Sequence, residues 1–261
     1  MSNCSAGNLP AQSAPAYPYI RQIAGTTDLQ IRIRPKEGNA VALIELDNIT
    51  FAYDSGEAPV LRELSLSVEA GECLALRGGN GAGKTTLLRV LNGLSFPQSG
   101  VYRFDGTQID AAWLKKQKNA KSFHKRVGYL FQNPEVMLFN ATVRDEIAFG
   151  PRQLGLLRGE TEARVRDCMA LFGLEPLADK APYHLSGGQK KQTALAAVLA
   201  LNPEVLVLDE PLAGLDERTR ERLIALLTEL KAAGKTLILA THDAALCRAL
   251  SARVLELKPG E

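Results

Sequence analysis

Gly78-Gly79-Asn80-Gly81-Ala82-Gly83-Lys84-Thr85-Thr86 is the stretch of sequence that decides the fold of this chain. It fits the phosphate-binding pattern G-x-x-x-x-G-K-[ST] at every position, with an apolar run (73–76) before it and a helical pattern (87–91) after it. The glycines let the backbone wrap a polyphosphate with its amide groups turned inward. Lys84 adds a cation for the β- and γ-phosphates, and the Thr85 hydroxyl can ligate Mg²⁺. The flanking strand and helix argue against a chance match, so the stretch predicts a site for a nucleoside triphosphate.

The composition is that of a globular protein: of 261 residues, 46% are hydrophobic and 23% are charged, and the net charge is +2. So weak a charge gives no argument for a nucleic-acid partner or for an anionic membrane surface. No apolar run approaches the roughly 18–20 residues that cross a bilayer, and the N-terminus lacks the pattern of a signal peptide. The four cysteines form no C-x-x-C pair, which favours reduced, buried thiols in a cytoplasmic protein. We therefore expect any membrane role to come through a partner.

Residues 1–40 predict a flexible extension, because Asn, Ser, Ala and Pro dominate the first half and no apolar period persists. Docking of the apolar positions in its second half is the alternative. In 41–261, apolar runs typical of strands alternate with helical patterns, which predicts an α/β fold. We expect a P-loop NTPase core of the RecA-like kind, with a mostly parallel sheet and helices on both of its faces. An N-terminal antiparallel β subdomain and an inserted α-helical subdomain at about 134–190 complete the predicted architecture.

Local patterns make further predictions. Two short strands are expected at 41–46 and 49–53, separated by two polar residues. Residues 111–126 are polar and lysine-rich, which predicts a solvated connection anchored by its tryptophan. Thr142 is the predicted N-cap of a helix that Gly150-Pro151 stops. Further helices are expected over 160–172, from 187 to about 200, and from Asp216 to Gly234.

Two adjacent carboxylates, Asp209 and Glu210, follow the apolar run Val205–Leu208, which is typical of a buried parallel strand. A carboxylate at the end of such a strand is placed to reach Mg²⁺, which is the predicted role of Asp209. Glu210 can accept a proton from an attacking water. Ordinary helix-capping acids are the alternative, and Pro211 argues against it.

Leu185-Ser186-Gly187-Gly188-Gln189 is the second decisive motif. It combines a hydroxyl with unhindered amides at a predicted helix N-terminus, which suits an anion. With this motif the sequence resembles the ATP-binding cassette (ABC) ATPases, whose signature is LSGGQ, over about residues 42–261. The resemblance implies ATP as the nucleotide. It further implies that Ser186 and Gly188, with Gln189 in the same motif, contact the γ-phosphate of ATP held by a second ATPase subunit, either another copy or a paralogue.

The resemblance also assigns roles to single residues elsewhere. Tyr53 matches the aromatic residue that stacks on adenine, with a core tyrosine as the alternative. Gln132 matches a glutamine that touches Mg²⁺ and the attacking water, and His242 matches a switch histidine that contacts the γ-phosphate. The predicted catalytic set is therefore Glu210, His242, Gln132 and Lys84, and the predicted Mg²⁺ ligands are Thr85, Gln132 and Asp209.

Three features depart from the family pattern or match none of its motifs. Leu212 stands where the family often has threonine, and Ala213–Asp216 still resembles the loop that links the two ATP sites. Lys190-Lys191-Gln192 follows the signature where an arginine is common, so a possible guanidinium contact is lost. Two histidines, His124 and His184, fit no motif and are expected at the surface.

Phe131–Phe139 and Thr142–Pro151 resemble the ATPases of energy-coupling factor (ECF) transporters. That resemblance implies uptake of cobalt, nickel or a vitamin through a transmembrane coupling protein and a small substrate-binding membrane protein. It places the chain peripherally at the cytoplasmic face of the membrane, without nucleic acid. Val136–Phe139 are expected either to form an apolar groove for a partner helix or to pack internally.

Other classes of cassette remain as alternatives. The chain could power a different ABC importer or an exporter, or act without transport on ribosomes or DNA. Many family members also carry C-terminal helices that help two ATPases pair, whereas this sequence ends at Glu261 just after the last predicted strand. We therefore expect pairing to depend more on ATP and on the membrane partner.

Overall fold

A computed structural model describes residues 42–54, 56 and 58–258. The predicted extension, 1–40, lies outside the described residues, so its flexibility stays a prediction. The strands are β1 Ile44–Phe51, β2 Leu61–Val68, β3 Cys73–Arg77, β4 Ser99–Phe104, β5 Thr107–Gln108, β6 Val127–Leu130, β7 Val205–Asp209, β8 Thr236–Ala240 and β9 Arg253–Glu256. The α-helices are α1 Lys84–Leu91, α2 Ala111–Leu114, α3 Gln117–Arg126, α4 Val143–Gln153, α5 Arg158–Phe172, α6 Gly187–Ala200, α7 Glu217–Ala232 and α8 Ala244–Ala249. Short 3₁₀ helices cover Pro134–Met137, Glu175–Leu177 and Pro182–His184.

Two sheets form the framework. An antiparallel sheet has the strand order β2-β1-β4-β5, and a parallel sheet has the order β6-β7-β8-β3-β9. The parallel arrangement brings the carboxyl ends of β3, β6, β7 and β8 to one edge, where ligands bind in open α/β sheets. The predicted α/β core and its antiparallel β subdomain are therefore confirmed.

The inner strands β7, β8 and β3 of the parallel sheet are buried on both faces, and side chains along a strand alternate between the two faces. In β7, Leu206 and Leu208 belong to an apolar cluster with α4–α7, whereas Val205 and Val207 belong to a second cluster with α1 and the antiparallel sheet. β7 and β8 are buried at every position, as the continuous apolar runs predict. The helices α4, α5 and α6 pack against one another, and the boundary of the helical insertion at 134–190 stays a prediction.

The expected pair of strands at 41–46 and 49–53 is wrong. One strand, β1, runs from Ile44 to Phe51, and its pairing with β2 shifts register between Leu46 and Ile49. Asn48 lies within this register shift and has φ of 53°, a conformation that asparagine tolerates better than most residues. The Asn48 N–H also donates to the Ser65 hydroxyl at 2.9 Å. The two polar residues therefore mark a bulge and not a break.

The connection over 111–126 is mostly exposed, as expected, but α2 and α3 occupy it, and this helical structure was not foreseen. Asp110 caps α2 by accepting a hydrogen bond from the Trp113 N–H at 2.7 Å. Trp113 packs against the apolar core, as expected of an anchor, and Phe123 of α3 is only 2% exposed. One buried side chain in a lysine-rich helix produces no apolar period, so the pattern did not reveal the helix.

Gly150-Pro151 does not end α4, which continues to Gln153. The Leu154 N–H still bonds to the Gly150 carbonyl at 3.0 Å, so the helical path survives the missing donor of proline. A Cβ on Gly150 would lie 2.5 Å from Leu201 Cδ2, which shows that this glycine permits close packing at the end of α6. The predicted N-cap Thr142 is confirmed, and Ser186 and Asp216 cap the helices expected to begin beside them.

Candidate functional site

The phosphate loop joins the carboxyl end of β3 to α1, as its sequence predicts. Lys84 Nζ lies inside the loop's curve and donates to the carbonyls of Gly78 at 2.6 Å and Gly79 at 2.9 Å. Gly78 has φ of 140°, and a Cβ there would lie 2.3 Å from the Leu257 carbonyl oxygen. Asn80 and Gly81 at the tip are exposed, whereas Ala82 and Gly83 are buried where α1 begins. The loop therefore offers open amides and a lysine, as a polyphosphate requires.

Thr85 and Asp209 come together across 124 residues of sequence. The Thr85 hydroxyl donates to Asp209 Oδ2 at 2.9 Å. Burial raises the pKa of Asp209, while this hydrogen bond and the nearby Lys84 act in the opposite direction. A hydroxyl and a carboxylate beside a phosphate loop are oxygen donors of the kind that Mg²⁺ prefers, so these residues fit the ion.

Glu210 and His242 face each other at the ends of β7 and β8. His242 Nε2 lies 3.7 Å from Glu210 Oε1. Burial raises the pKa of Glu210, and His242 is the largest influence in the opposite direction. Glu210 also has φ of 46°, which is unusual for a residue with a side chain and marks a position held by its surroundings.

Tyr53 lies beside the phosphate loop and not in the core. Its side chain is 54% exposed, its hydroxyl lies 2.9 Å from the Thr86 hydroxyl, and its ring meets Phe51 edge-on at 5.1 Å. The alternative of a core tyrosine is therefore excluded. The exposed ring face is available for stacking beside the loop.

In the described part of the chain, Gln132 is not hydrogen-bonded to the side chains around the phosphate loop. It follows β6 at the same edge of the sheet and is exposed. Within the described residues, no hydrogen bond involves its side chain.

The signature motif forms a capping box at the start of α6. The Gln189 N–H donates to Ser186 Oγ at 3.3 Å, and the Ser186 N–H donates to Gln189 Oε1 at 3.0 Å. Ser186 and Gly187 are exposed, and Gly188 is half-buried. In the described part of the chain, no hydrogen bond joins this motif to the phosphate loop. His124 and His184 are exposed, as expected.

Sequence reasoning missed a buried lysine next to this site. Lys191 was interpreted as part of a departure that loses a contact, yet its Nζ donates to the carbonyls of Glu210 at 2.6 Å and Ala213 at 2.8 Å. The available signal was its register, because Lys191 shares a helical face with Ala194, Leu195 and Val198, all buried.

The apolar segment after Gln132 divides between two environments. Met137 and Leu138 pack against the core cluster of the helices, whereas Val136 is 67% and Phe139 66% exposed. The Phe139 ring meets Phe149, itself 38% exposed, edge-on at 4.9 Å. Phe139 and Phe149 thus form an exposed apolar patch, and Val136 is exposed three residues before Phe139 in the chain.

Comparisons with known proteins agree with this arrangement. Residues 61–213 match the ABC transporter family model. The chain is 49% identical over 201 residues to the nickel import ATP-binding protein LarO of Lactiplantibacillus plantarum, covering 77% of this chain and 83% of LarO. It is 42% identical over 219 residues to the energy-coupling factor transporter ATP-binding protein EcfA of Methanothermobacter thermautotrophicus, covering 84% and 69%.

A solved structure extends the likeness to three dimensions. The dimeric post-hydrolysis state of the ATP-binding cassette MJ0796, bound to ADP and Pi, superposes with a TM-score of 0.76 at 29% identity, covering 84% of this chain and 95% of that one. Within 42–54, 56 and 58–258, no helix is long and apolar enough to cross a membrane. The motifs, the fold and these likenesses together show that the chain belongs to the ABC transporter family, as one of its ATP-binding ATPases.

Proposed function

We propose that this chain is the ATP-hydrolysing subunit of an ECF-type importer that powers uptake of a transition-metal ion, cobalt or nickel, or of a vitamin. The likeness to LarO and EcfA over most of both chains carries the proposal, because their names specify nickel import and energy coupling. The chain works with a transmembrane coupling protein and a small substrate-binding membrane protein, and it lies peripherally at the cytoplasmic face of the membrane.

Each cluster of the site has a role in this proposal. Lys84 and the loop amides bind the phosphates, and Tyr53 stacks on adenine. Thr85 and Asp209 would hold Mg²⁺, with Gln132 reaching it when ATP is bound, and the ion would neutralise charge on the transferring phosphoryl group.

The water-activating groups lie next to the phosphates. Glu210 orients and deprotonates the attacking water, and burial raises the pKa of Glu210, which makes its carboxylate a stronger base. His242, 3.7 Å from Glu210, contacts the γ-phosphate.

A second ATPase subunit completes each site. Ser186, Gly188 and Gln189 lie at the N-terminus of α6. In the described part of the chain, no hydrogen bond connects their polar groups to the phosphate loop. In the proposed dimer they contact ATP held by the opposite subunit, where the helix N-terminus favours an anion. ATP binding closes the dimer, and hydrolysis reopens it.

The exposed apolar patch of Phe139 and Phe149, together with the exposed Val136, supports docking on a membrane partner. The two rings are 66% and 38% exposed and contact each other, and large exposed apolar side chains in contact are characteristic of interaction sites. Phe139 follows Gln132 by seven residues, so a partner helix bound there is close in sequence to a residue of the proposed ATP site.

Glu210→Gln tests the catalytic assignment. The variant should keep ATP affinity but lose turnover by about 100-fold or more, and should accumulate as a closed dimer, because the amide cannot accept the proton. Steady-state hydrolysis and light scattering with ATP measure both effects. Glu221→Gln, at an exposed position of α7, is the matched control. Near-normal hydrolysis by Glu210→Gln would remove Glu210 from this role.

Purification of the tagged chain from gently solubilised native membranes tests the transporter class. We expect a coupling membrane protein and a small substrate-binding membrane protein to copurify, and the latter then indicates the solute. Recovery of only soluble proteins or ribosomes would reject the transport function while leaving the ATPase assignment in place.

A further inference from the structure

We propose that Lys191 is a positioning residue that holds the backbone of Glu210 and thereby couples the signature helix α6 to the hydrolytic carboxylate. The proposal rests on the proposed role of Glu210 and deepens it, since Lys191 itself touches neither ATP nor water in this mechanism.

Two hydrogen bonds define the arrangement. Lys191 is only 4% exposed, and its ammonium donates to the Glu210 carbonyl at 2.6 Å and to the Ala213 carbonyl at 2.8 Å. A buried ammonium is costly unless polar groups replace its water. Burial lowers the pKa of Lys191, while the nearby carboxylates of Glu210 and Asp209 act in the opposite direction. The lysine is therefore fixed by the segment that carries Glu210.

The backbone of Glu210 needs such support. Its φ of 46° lies in the left-handed region, which is unfavourable for a residue with a side chain. Its N–H donates to the Ala240 carbonyl at 2.9 Å, and its carbonyl also accepts from the Ala213 N–H at 3.2 Å. Lys191 adds a charged donor to this turn, and charge-assisted hydrogen bonds are the stronger kind.

Lys191 lies in the helix that begins at the signature motif, so its contact with Glu210 links that motif to the hydrolytic carboxylate. α6 begins at Gly187, directly after the Ser186 cap, so one helix carries both the proposed contact with the partner-bound ATP and the lysine that holds Glu210. The second acceptor, Ala213, lies in the loop that leads to the Asp216 cap of α7. A displacement of α6 is therefore transmitted through the Lys191 side chain and its hydrogen bond to the Glu210 carbonyl, directly to the backbone that carries the carboxylate.

Lys191→Met tests the inference against a matched control. Lys235 is also buried, at 5% exposure, and its ammonium also bonds to a loop, donating to Asn202 Oδ1 at 2.6 Å, but it lies at the opposite, amino-terminal end of β8. Lys191→Met should lower kcat by about 10- to 100-fold with the KM for ATP changed less than about 3-fold, because misplacement of a catalytic group affects the chemical step. Lys235→Met should leave kcat near the wild-type value. Equal kcat losses in the two variants, or a normal kcat in Lys191→Met, would overturn the proposal.

Further variants keep the test decisive if Lys191→Met does not fold. Lys191→Gln retains a polar donor but is too short to reach both carbonyls, so the same loss of kcat is expected.

In a Glu210→Gln background, single-turnover hydrolysis should fall no further on adding the Lys191 substitution, because the lysine acts through Glu210. A full additional loss there would show that Lys191 acts elsewhere. If Glu210→Gln itself hydrolyses ATP normally, the proposed role of Glu210 fails; if only the Lys191 variants are normal, this inference alone fails.

Discussion

Tyr53 lies at the edge of the site, and its proposed contribution to ATP binding can be tested by mutation. Its ring is 54% exposed and its hydroxyl lies 2.9 Å from the Thr86 hydroxyl, so stacking and hydrogen bonding can be separated by mutation. Tyr53→Ala should weaken ATP affinity by about 5- to 100-fold, the usual range for base stacking. Tyr53→Phe should bind within about 3-fold of wild type, because the ring remains. Calorimetric titration with ATP measures both, and a Phe variant as weak as the Ala variant would contradict the stacking role.

The backbone conformation and close packing at residue 78 require glycine even when no ligand is bound. With φ of 140° and the Leu257 carbonyl oxygen 2.3 Å from a Cβ built there, Gly78→Ala must displace one of the two segments. We expect the free energy of unfolding without nucleotide to fall by about 2 kcal/mol. Gly79→Ala is the matched control, since a Cβ there meets nothing within 4 Å. Chemical denaturation of the nucleotide-free chain measures the difference, and equal stability of the two variants would contradict it.

At the scale of elements, the N-terminus of α4 is stabilised by its cap residue Thr142 together with the charged side chain of Asp145. Thr142 Oγ1 accepts from the Asp145 N–H at 3.0 Å and donates to Asp145 Oδ2 at 2.8 Å, and Arg152 donates to Asp145 Oδ1 at 3.1 Å. The Thr142 hydroxyl first, and Arg152 second, hold the pKa of Asp145 below its ordinary 3.8. A lowered carboxyl pKa contributes stability that is present above the ordinary value and is lost as pH falls through the folded value.

Asp145→Asn should therefore lower the free energy of unfolding at neutral pH, and the difference from wild type should disappear as pH falls below 3.8. Salt should reduce the neutral-pH effect, because the side chain is 39% exposed. Urea denaturation across this pH range measures it. Asp179→Asn, which removes an 86% exposed carboxylate, serves as the control. A difference that persists at acid pH would assign the effect to packing instead.

The elements also show where sequence patterns succeed. The starts of the helices that follow Ser186 and Asp216 were predicted correctly, because a residue able to cap the helix stands directly before the helical pattern. α3 was missed because only Phe123 is buried, and the end of α4 was misplaced because packing on Leu201 outweighs the local effect of Gly150-Pro151. Local signals fail where a distant segment supplies the stabilisation.

At the scale of the whole molecule, the proposed site is divided between two chains. Lys84→Ala should abolish ATP binding, and Ser186→Asp should block hydrolysis by placing a carboxylate against the γ-phosphate. Aspartate is itself a good N-cap, so α6 should remain intact. Each variant alone should be inactive, whereas a mixture should regain hydrolysis, because a mixed dimer contains one site with both native residues. ATPase assays of the mixture measure this. A mixture as inactive as its components would count against the composite site.

The sequence by itself determined the phosphate loop, the carboxylates after β7, the signature at the start of α6 and hence the family. These features lie in contiguous residues whose local backbone geometry produces the motif, so a pattern is enough to find them. Only the tertiary structure decided that Tyr53 is exposed beside the loop, that Val136 and Phe139 face outwards, and that Lys191 is bonded to residues 19 and 22 positions away. Exposure and long-range hydrogen bonds depend on which segments pack together, and no single stretch of sequence contains that information.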